Sequence, residues 1–348
     1  MKRYRLPAEW EPQSMIQLTW PHRDTDWAPM LDEIVEVYVA MAREIALREP
    51  LLIVIPDKND LPQEVRQMAN VTIVECPTND TWARDHGFIT LVADESRESK
   101  DSKDSKDPKD LKDSKDPKDD EAPHALFLDF CFNGWGEKFV ADKDNAINRH
   151  LWDFITHHPS PITQHPISPP QGGVGGGYIP HLDFVLEGGS IESDGKGTIY
   201  TTRCCLMAPH RNQPLTQQQI EEKLKEYLFA ERVVWLDDEP LPGDDTDGHI
   251  DTLARILPDG RLLRLPLPDP IFEDGEQLPA TYANYLILNG AVLVPTYGQP
   301  KHDKEAMRII GEAFPDREII GIDSRPIIRQ HGSIHCCTMQ FPQFVQNL

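Results

Sequence analysis

The chain has no Cys-x-x-Cys, no His-x-His and no His-Glu-x-x-His, so the spacings that usually hold a structural or catalytic zinc ion are missing and no metal is expected. Six cysteines are few for 348 residues, and four of them form the adjacent pairs Cys204-Cys205 and Cys336-Cys337, where a bridge between neighbours would be strained. A disulfide framework is therefore not expected, and each thiol is either a small buried hydrophobe or a reactive group. Long apolar runs are absent too: none nears the roughly 20 residues that cross a bilayer, and the basic residues at 1–6 lead into Pro7, Ala8 and Glu9. Neither a membrane span nor a signal peptide is expected, which leaves a cytoplasmic enzyme as the default. Positive charge is scarce as well. With 35 Lys and Arg against 58 Asp and Glu, the net charge is −23. Nucleic-acid binding draws on clustered cations that release counterions, so no nucleic-acid partner is expected, whereas a negative field attracts a small cation.

What is present is enough apolar sequence, 39% of the chain, for one large domain or two of usual size. Residues 95–122 stand apart as an insertion. Within them, 100–121 is a degenerate Lys-Asp-Ser/Pro repeat in which seven Lys face eight Asp and one Glu, so the acidity belongs to the rest of the protein. With Leu111 its only large apolar side chain, this tract is expected to be a disordered surface loop joining two strands. Elsewhere helix and strand patterns alternate. Apolar residues at helical spacing mark 30–48, 61–68, 144–156, 216–229 and 302–313. Strands are expected at 51–55, 71–75, 88–92, 126–130, 184–186, 198–202, 232–236, 285–288 and 291–295. Asn289-Gly290 and Asp194-Gly195-Lys196-Gly197 predict hairpin turns, so the fold is α/β but not purely parallel. Five helix signals spread along the chain hint at a repeated unit. The glycine-rich run at 172–177 lacks a following Gly-Lys-Ser/Thr and is expected to be a flexible loop rather than a phosphate site.

Four clusters could carry chemistry. Around Cys336 the neighbours are His335, Thr338 and Gln340, unlike the apolar surroundings of a structural thiol, and Gly332 would let backbone or ligand approach closely. If the segment is a strand, Cys337 faces the other way, into the core. In Asp247-Gly248-His249-Ile250-Asp251, an extended backbone would place His249 and Asp251 on one side as an acid/base pair; a solvated acidic turn is the plainer alternative. Asn79-Asp80-Thr81-Trp82-Ala83-Arg84-Asp85 offers aromatic, cationic and anionic groups for a binding edge, with a surface ion pair as the alternative. In Leu186-Glu187-Gly188-Gly189-Ser190 a carboxylate follows an apolar run, where it is costly unless partnered. Together these supply a thiol, an imidazole and carboxylates, with no cofactor fingerprint. A planar cation with several N–H donors suits that set, because carboxylates accept its hydrogen bonds in pairs and its charge favours a thiolate.

With those residues in hand, the sequence resembles the agmatine deiminase family, which includes the bacterial-type peptidylarginine deiminases. The resemblance runs through Pro7-Ala8-Glu9-Trp10-Glu11-Pro12, Leu18-Thr19-Trp20-Pro21, Asp80-Thr81-Trp82-Ala83-Arg84-Asp85 and Phe132-Asn133-Gly134-Trp135-Gly136-Glu137. It continues through Glu187-Gly188-Gly189-Ser190-Ile191 and Thr246-Asp247-Gly248-His249-Ile250-Asp251, and closes with Ile334-His335-Cys336-Cys337-Thr338-Met339-Gln340. The resemblance implies a single-domain, five-bladed pseudosymmetric α/β propeller of ββαβ-type units with the active site on its axis. It also implies that Cys336 attacks a guanidinium carbon, that His249 moves the protons, that Asp85 and Asp251 grip the guanidinium nitrogens, and that Glu187 orients His249 or the substrate. Trp82 and Gly332 belong to the expected binding surface. No metal or organic cofactor is implied, the expected partner is a small cationic guanidino substrate, and a homo-oligomer is compatible with the sequence. Agmatine is favoured over free or peptide-bound arginine, whose carboxylate would want a dedicated cation; whether Arg84, Arg203 or Arg255 supplies one is left open. A non-catalytic guanidinium or polyamine binder is the rival, and a low thiol pKa at Cys336 would distinguish the enzyme. A metal-dependent hydrolase is the third reading. His331, where the family often has glycine, and the charged insertion depart from the pattern.

Overall fold

The computed structural model describes residues 3–94, 123–157 and 176–343. The charged insertion at 95–122 and all of the 172–177 run except Gly176 and Gly177 lie outside the described residues. Those two glycines open the strand Gly176–Val185 rather than sitting in a loop, and the strand expected at 184–186 is its far end.

Four sheets repeat one pairing rule, in which a first strand runs antiparallel to a second and the second runs parallel to a third. Ile89–Ala93, Ala125–Cys131 and Gly176–Val185 follow it, as do Ile191–Ser193, Thr198–Thr202 and Arg232–Leu236. So do Leu286–Leu288, Ala291–Thr296 and Glu318–Asp323. In the last sheet the C-terminal strand Thr338–Pro342 lies antiparallel to Gln13–Thr19, which runs parallel to Leu51–Ile55, with Val71–Glu75 beyond. In each sheet the step from the second strand to its parallel third needs a crossover, and a helix lies on it: Leu31–Ala46, Ile147–His157, Gln217–Tyr227 and Pro300–Ala313; the added parallel step from Leu51–Ile55 to Val71–Glu75 has only a short turn. Leu31–Ala46 is helical because Ile34, Tyr38, Met41 and Ile45 bury one stripe, with Asp32 and Glu33 at the positive end of its dipole and Arg43 at the negative end. Gln217–Tyr227 starts at a capping box between Thr216 and Gln219. Each helix packs on its sheet in its own apolar cluster. Each fully buried aliphatic side chain there contributes about 1.5–3 kcal/mol.

Five helix signals therefore do not mean one helix per unit. The segment expected at 61–68 forms only the short turn Gln63–Arg66, and it belongs to the same sheet as Leu31–Ala46. The stretch between Arg232–Leu236 and Leu286–Leu288 carries instead the two-stranded pairs Arg255–Ile256 with Leu262–Leu263 and Ile271–Glu273 with Glu276–Leu278. The result is a mixed α/β fold. Among the described residues no helix is long and apolar enough to cross a membrane.

Candidate active site

Short turns, rather than strands, carry the chemistry. The helical turn Ala83–His86 presents Asp85, with Trp82 just before it. The turn Gly188–Ser190 follows Glu187. His249 caps the turn Ile250–Leu253, which holds Asp251. Cys336 sits in a further turn before the strand Thr338–Pro342. Backbone bonds lock these turns together: Arg84 N–H donates to the Cys336 carbonyl at 3.1 Å, and Gly189 N–H to Asp85 Oδ1 at 3.0 Å. Gly189 is where they converge. A β-carbon there would stand 2.6 Å from His249 Nδ1, 2.9 Å from Asp85 Oδ1 and 3.1 Å from Asp251 Oδ2.

The structure thus brings Cys336, His249, Asp85, Asp251 and Glu187 into one buried cluster, but two local expectations change. His249 and Asp251 do not lie on an extended segment as a pair. The segment is the start of a helical turn, and the carboxylate beside His249 Nδ1 is Asp85, at 3.6 Å. Asp251 Oδ2 instead meets His335 Nδ1 at 2.8 Å and lies 3.7 Å from Cys336 Sγ, while its Oδ1 makes no hydrogen bond to the described residues. Cys336 and Cys337 occupy a turn, not a strand; Cys337 is nevertheless in the core.

Sequence reasoning missed several partners. Asn284 clasps Cys336, its amide nitrogen 3.2 Å from Sγ and its oxygen accepting the Cys336 N–H at 3.2 Å. Trp135 Nε1–H donates to Asp85 Oδ2 at 2.9 Å. Arg211 holds Glu187 at 3.1 Å, and Cys205 joins Glu187 and His249 in a buried group whose heteroatoms lie within 4.8 Å of one another. That trio is a plausible donor set for a soft cation, but the Arg211 guanidinium already matches the charge of Glu187. Trp135, His335 and Glu9 were within the motifs; Asn284 and Arg211 gave no local signal because they arrive by tertiary approach.

Cys336 opens into a pocket of about 150 Å³ lined also by Trp82, Trp135, Gly332 and His331. Four carboxylates, Asp26, Asp80, Asp85 and Asp245, line it, and among the described residues no lysine or arginine does. The open question about arginines is answered accordingly. Arg84 turns away to Glu9 at 3.0 Å, Arg203 pairs with Asp237 at 2.6 Å near the surface, and Arg255 binds Glu9 and Glu192. Gly332 is required by packing, since a β-carbon there would come within 2.0 Å of the Trp82 ring. Asp80 anchors the wall by accepting from Trp82 Nε1 at 3.0 Å and Trp27 Nε1 at 3.1 Å, and burial pushes its carboxyl up to about 6.

Burial, with Asp251 and Asp85 beside it, pushes the Cys336 thiol well above its usual range. A low thiol pKa is therefore not the mark of this site; without a cation the sulfur keeps its proton. Burial alone would push the His249 imidazole down, yet the charges of Asp85, Cys205 and Glu187 outweigh it and hold it up to about 10. Asp85 itself is raised, chiefly by burial. A guanidinium placed among Cys336, Asp85 and Asp251 would supply the missing positive charge.

Comparison with known proteins gives the same direction. The chain matches the Porphyromonas-type peptidyl-arginine deiminase family over residues 5–264 and 259–342. It superposes with a TM-score of 0.80 on a cysteine-to-serine variant of an agmatine deiminase from C. jejuni with substrate bound, 29% identical, covering 99% of this chain and 98% of that one. A Porphyromonas gingivalis protein provisionally described as an arginine deiminase is 39% identical, with a TM-score of 0.76, 98% of this chain and 99% of that one being covered. The agmatine deiminase of Medicago truncatula is 29% identical over 408 residues, covering 97% of this chain and 96% of its own.

Proposed function

The chain belongs to the Porphyromonas-type peptidyl-arginine deiminase family, and from that premise we propose that it hydrolyses agmatine to N-carbamoylputrescine and ammonia. The observation that carries the substrate is the pocket wall: carboxylates without a lysine or arginine suit a dication and offer nothing to an α-carboxylate. Free or peptide-bound arginine is the second choice for that reason.

In the proposed reaction Asp85 and Asp251 accept hydrogen bonds from the guanidinium nitrogens, and its charge offsets theirs, so that Cys336 releases its proton to solvent as the substrate seats. The thiolate attacks the guanidinium carbon. His249, carrying a proton, gives it to the departing nitrogen, which leaves as ammonia from a covalent thiouronium and takes up a proton in solution. The neutral imidazole then takes a proton from water; the resulting hydroxide adds to the same carbon, and the carbon–sulfur bond breaks to release the ureido product, the hydroxyl proton passing to the departing sulfur. Asn284 holds the sulfur in line, and Trp135 holds Asp85. The proposal extends to the fold: the four matching sheets would be blades of a five-bladed propeller, with the reduced Arg255–Leu263 region as the fifth, and Gly189 near its axis.

The test is ammonia and ureido product formed from agmatine, arginine and an arginine peptide by wild type and Cys336→Ala. Turnover of agmatine that vanishes in the variant supports both substrate and nucleophile. Turnover of arginine or the peptide alone refutes the substrate assignment, and turnover that persists in Cys336→Ala refutes the nucleophile. Activity lost to chelators would instead favour a metal-dependent route.

A further inference from the structure

His331 closes the short helical turn Ile327–Gln330 in a left-handed backbone conformation, a place where glycine is the usual residue. Its φ is 64° and its ψ 6°, the left-handed region that a residue with a β-carbon enters only at a cost. Eight non-glycine residues have positive φ among the described residues, and two of them, Trp135 and His331, line the pocket of Cys336. Trp135 has a task there, its bond to Asp85 at 2.9 Å. His331 reaches towards the neighbouring loop: Nδ1 is 2.5 Å from the Gly243 carbonyl oxygen and 3.6 Å from Asp245 Oδ2. With Nδ1 spent on that carbonyl as a donor, the other ring nitrogen, Nε2, is an acceptor whenever the ring is neutral. Asp245, which also lines the pocket, meets no lysine or arginine side chain at hydrogen-bond distance among the described residues; the nearby Lys138 bonds its carbonyl oxygen and the Asp247 carboxylate.

We propose that His331, with Asp245, is a specificity-determining residue for the end of the substrate remote from the reacting carbon. The pair accepts hydrogen bonds from an ammonium and turns away a carboxylate. This rests on the guanidine hydrolysis proposed above and adds which group the far end must carry. The competing role is purely mechanical, His331 tying its loop to the one at Gly243.

The deciding experiment compares agmatine with butylguanidine, which has the same carbon chain and no ammonium, in wild type and His331→Gly. The substitution relieves the left-handed strain, so it does not endanger folding. KM for agmatine rises about tenfold, the worth of one hydrogen bond to a charged group, with kcat held, while KM for butylguanidine stays within about twofold. His331→Asn, which tolerates this backbone region and supplies an acceptor, recovers part of the loss. An equal rise for both guanidines makes His331 a loop tie and overturns the proposal, as does no change for either. If wild type releases ammonia from neither compound, the reaction has failed separately. Affinities for Cys336→Ala protein with and without His331→Gly, measured by calorimetry, then decide: a loss confined to agmatine supports the specificity role, and an equal loss or none overturns it.

Discussion

Arg84 and Asp85 are neighbours in sequence that face two different acidic regions. Behind Arg84, every carboxylate has a cation. Glu9 bonds Arg84 at 3.0 Å and His335 at 2.9 Å and also pairs with Arg255, which binds Glu192 as well. The cavity of about 50 Å³ on that side is lined by Glu9, Arg84 and Glu192, and neither cysteine nor histidine reaches it. In front of Asp85, the pocket of about 150 Å³ has carboxylates and no guanidinium or ammonium among the described residues. The difference shows in the titration of the two sides. Although burial opposes it, the charges of His335, Arg84 and Arg255 hold Glu9 well below the usual carboxylate range, whereas burial keeps Asp85 above it. Charge matched within the protein makes a scaffold; charge left unmatched makes a site for a cation. His335 links the two, with one ring nitrogen on Glu9 and the other on Asp251.

If this division is right, substitutions on the two sides fail in opposite ways. Asp85→Asn removes a carboxylate that faces His249 on one side and the proposed substrate on the other, and kcat/KM for agmatine is expected to fall on the order of 10³-fold, the cost of leaving a buried charged partner unpaired. Its stability in urea is expected to change little, because the buried, raised carboxyl no longer has to ionise while the His249 imidazole loses its support. Arg255→Ala should do the reverse. It strands Glu192 in the interior and takes one of three cationic partners from Glu9, and unfolding free energy is expected to drop by about 3–5 kcal/mol in denaturant titration. Equal stability losses in both variants would erase the distinction.

Parts of this were legible in the sequence for physical reasons. Strands made of apolar and β-branched residues, such as Leu51–Ile55, Thr198–Thr202 and Arg232–Leu236, announce themselves and fall where expected. Gln13–Thr19 does not, although all seven of its residues are buried. Four are polar, and three of them have remote partners: Gln13 bonds the Ile287 carbonyl, Ser14 the Phe341 carbonyl and Thr19 the His86 ring, while the Gln17 amide bonds none of the described residues. A pattern of hydrophobicity cannot reveal a buried strand whose polar groups are satisfied from elsewhere. The same holds for the site. The motifs named Cys336, His249, Asp85, Glu187 and Asp251, but pairing His249 with Asp251 followed nearness in sequence, and the chain reverses through a helical turn that hands that place to Asp85.

Cys336 offers a smaller effect that still divides the two regions. Because burial, Asp251 and Asp85 raise the Cys336 thiol, its alkylation by iodoacetamide near pH 7 should be about tenfold or more slower than that of a free cysteine, quickening as pH rises past 9. Mass spectrometry of the modified peptide follows it. Fast modification at neutral pH would mean that a positive charge already faces the sulfur, contrary to the pocket described above.

The smallest predicted effect concerns Cys205, which stands behind His249 as Arg84 stands behind Asp85 but carries no permanent charge. Burial opposes the charged ring, and Asp85, Cys205 and Glu187 together hold it up to about 10. A histidine whose folded pKa exceeds its unfolded value of about 6.5 adds stability that is fully present below that value and is lost as pH rises towards the folded pKa. The window here runs from about 6.5 to about 10. Cys205→Ala takes away one of the raising contacts and leaves Asp85 and Glu187, so the folded pKa falls and the upper edge of the window moves to lower pH by about one unit or less. Unfolding free energy measured across that range, beside wild type, tests it. An unmoved edge would assign the raised imidazole to the two carboxylates alone, and Cys205 would then be a space-filling thiol in the wall behind His249.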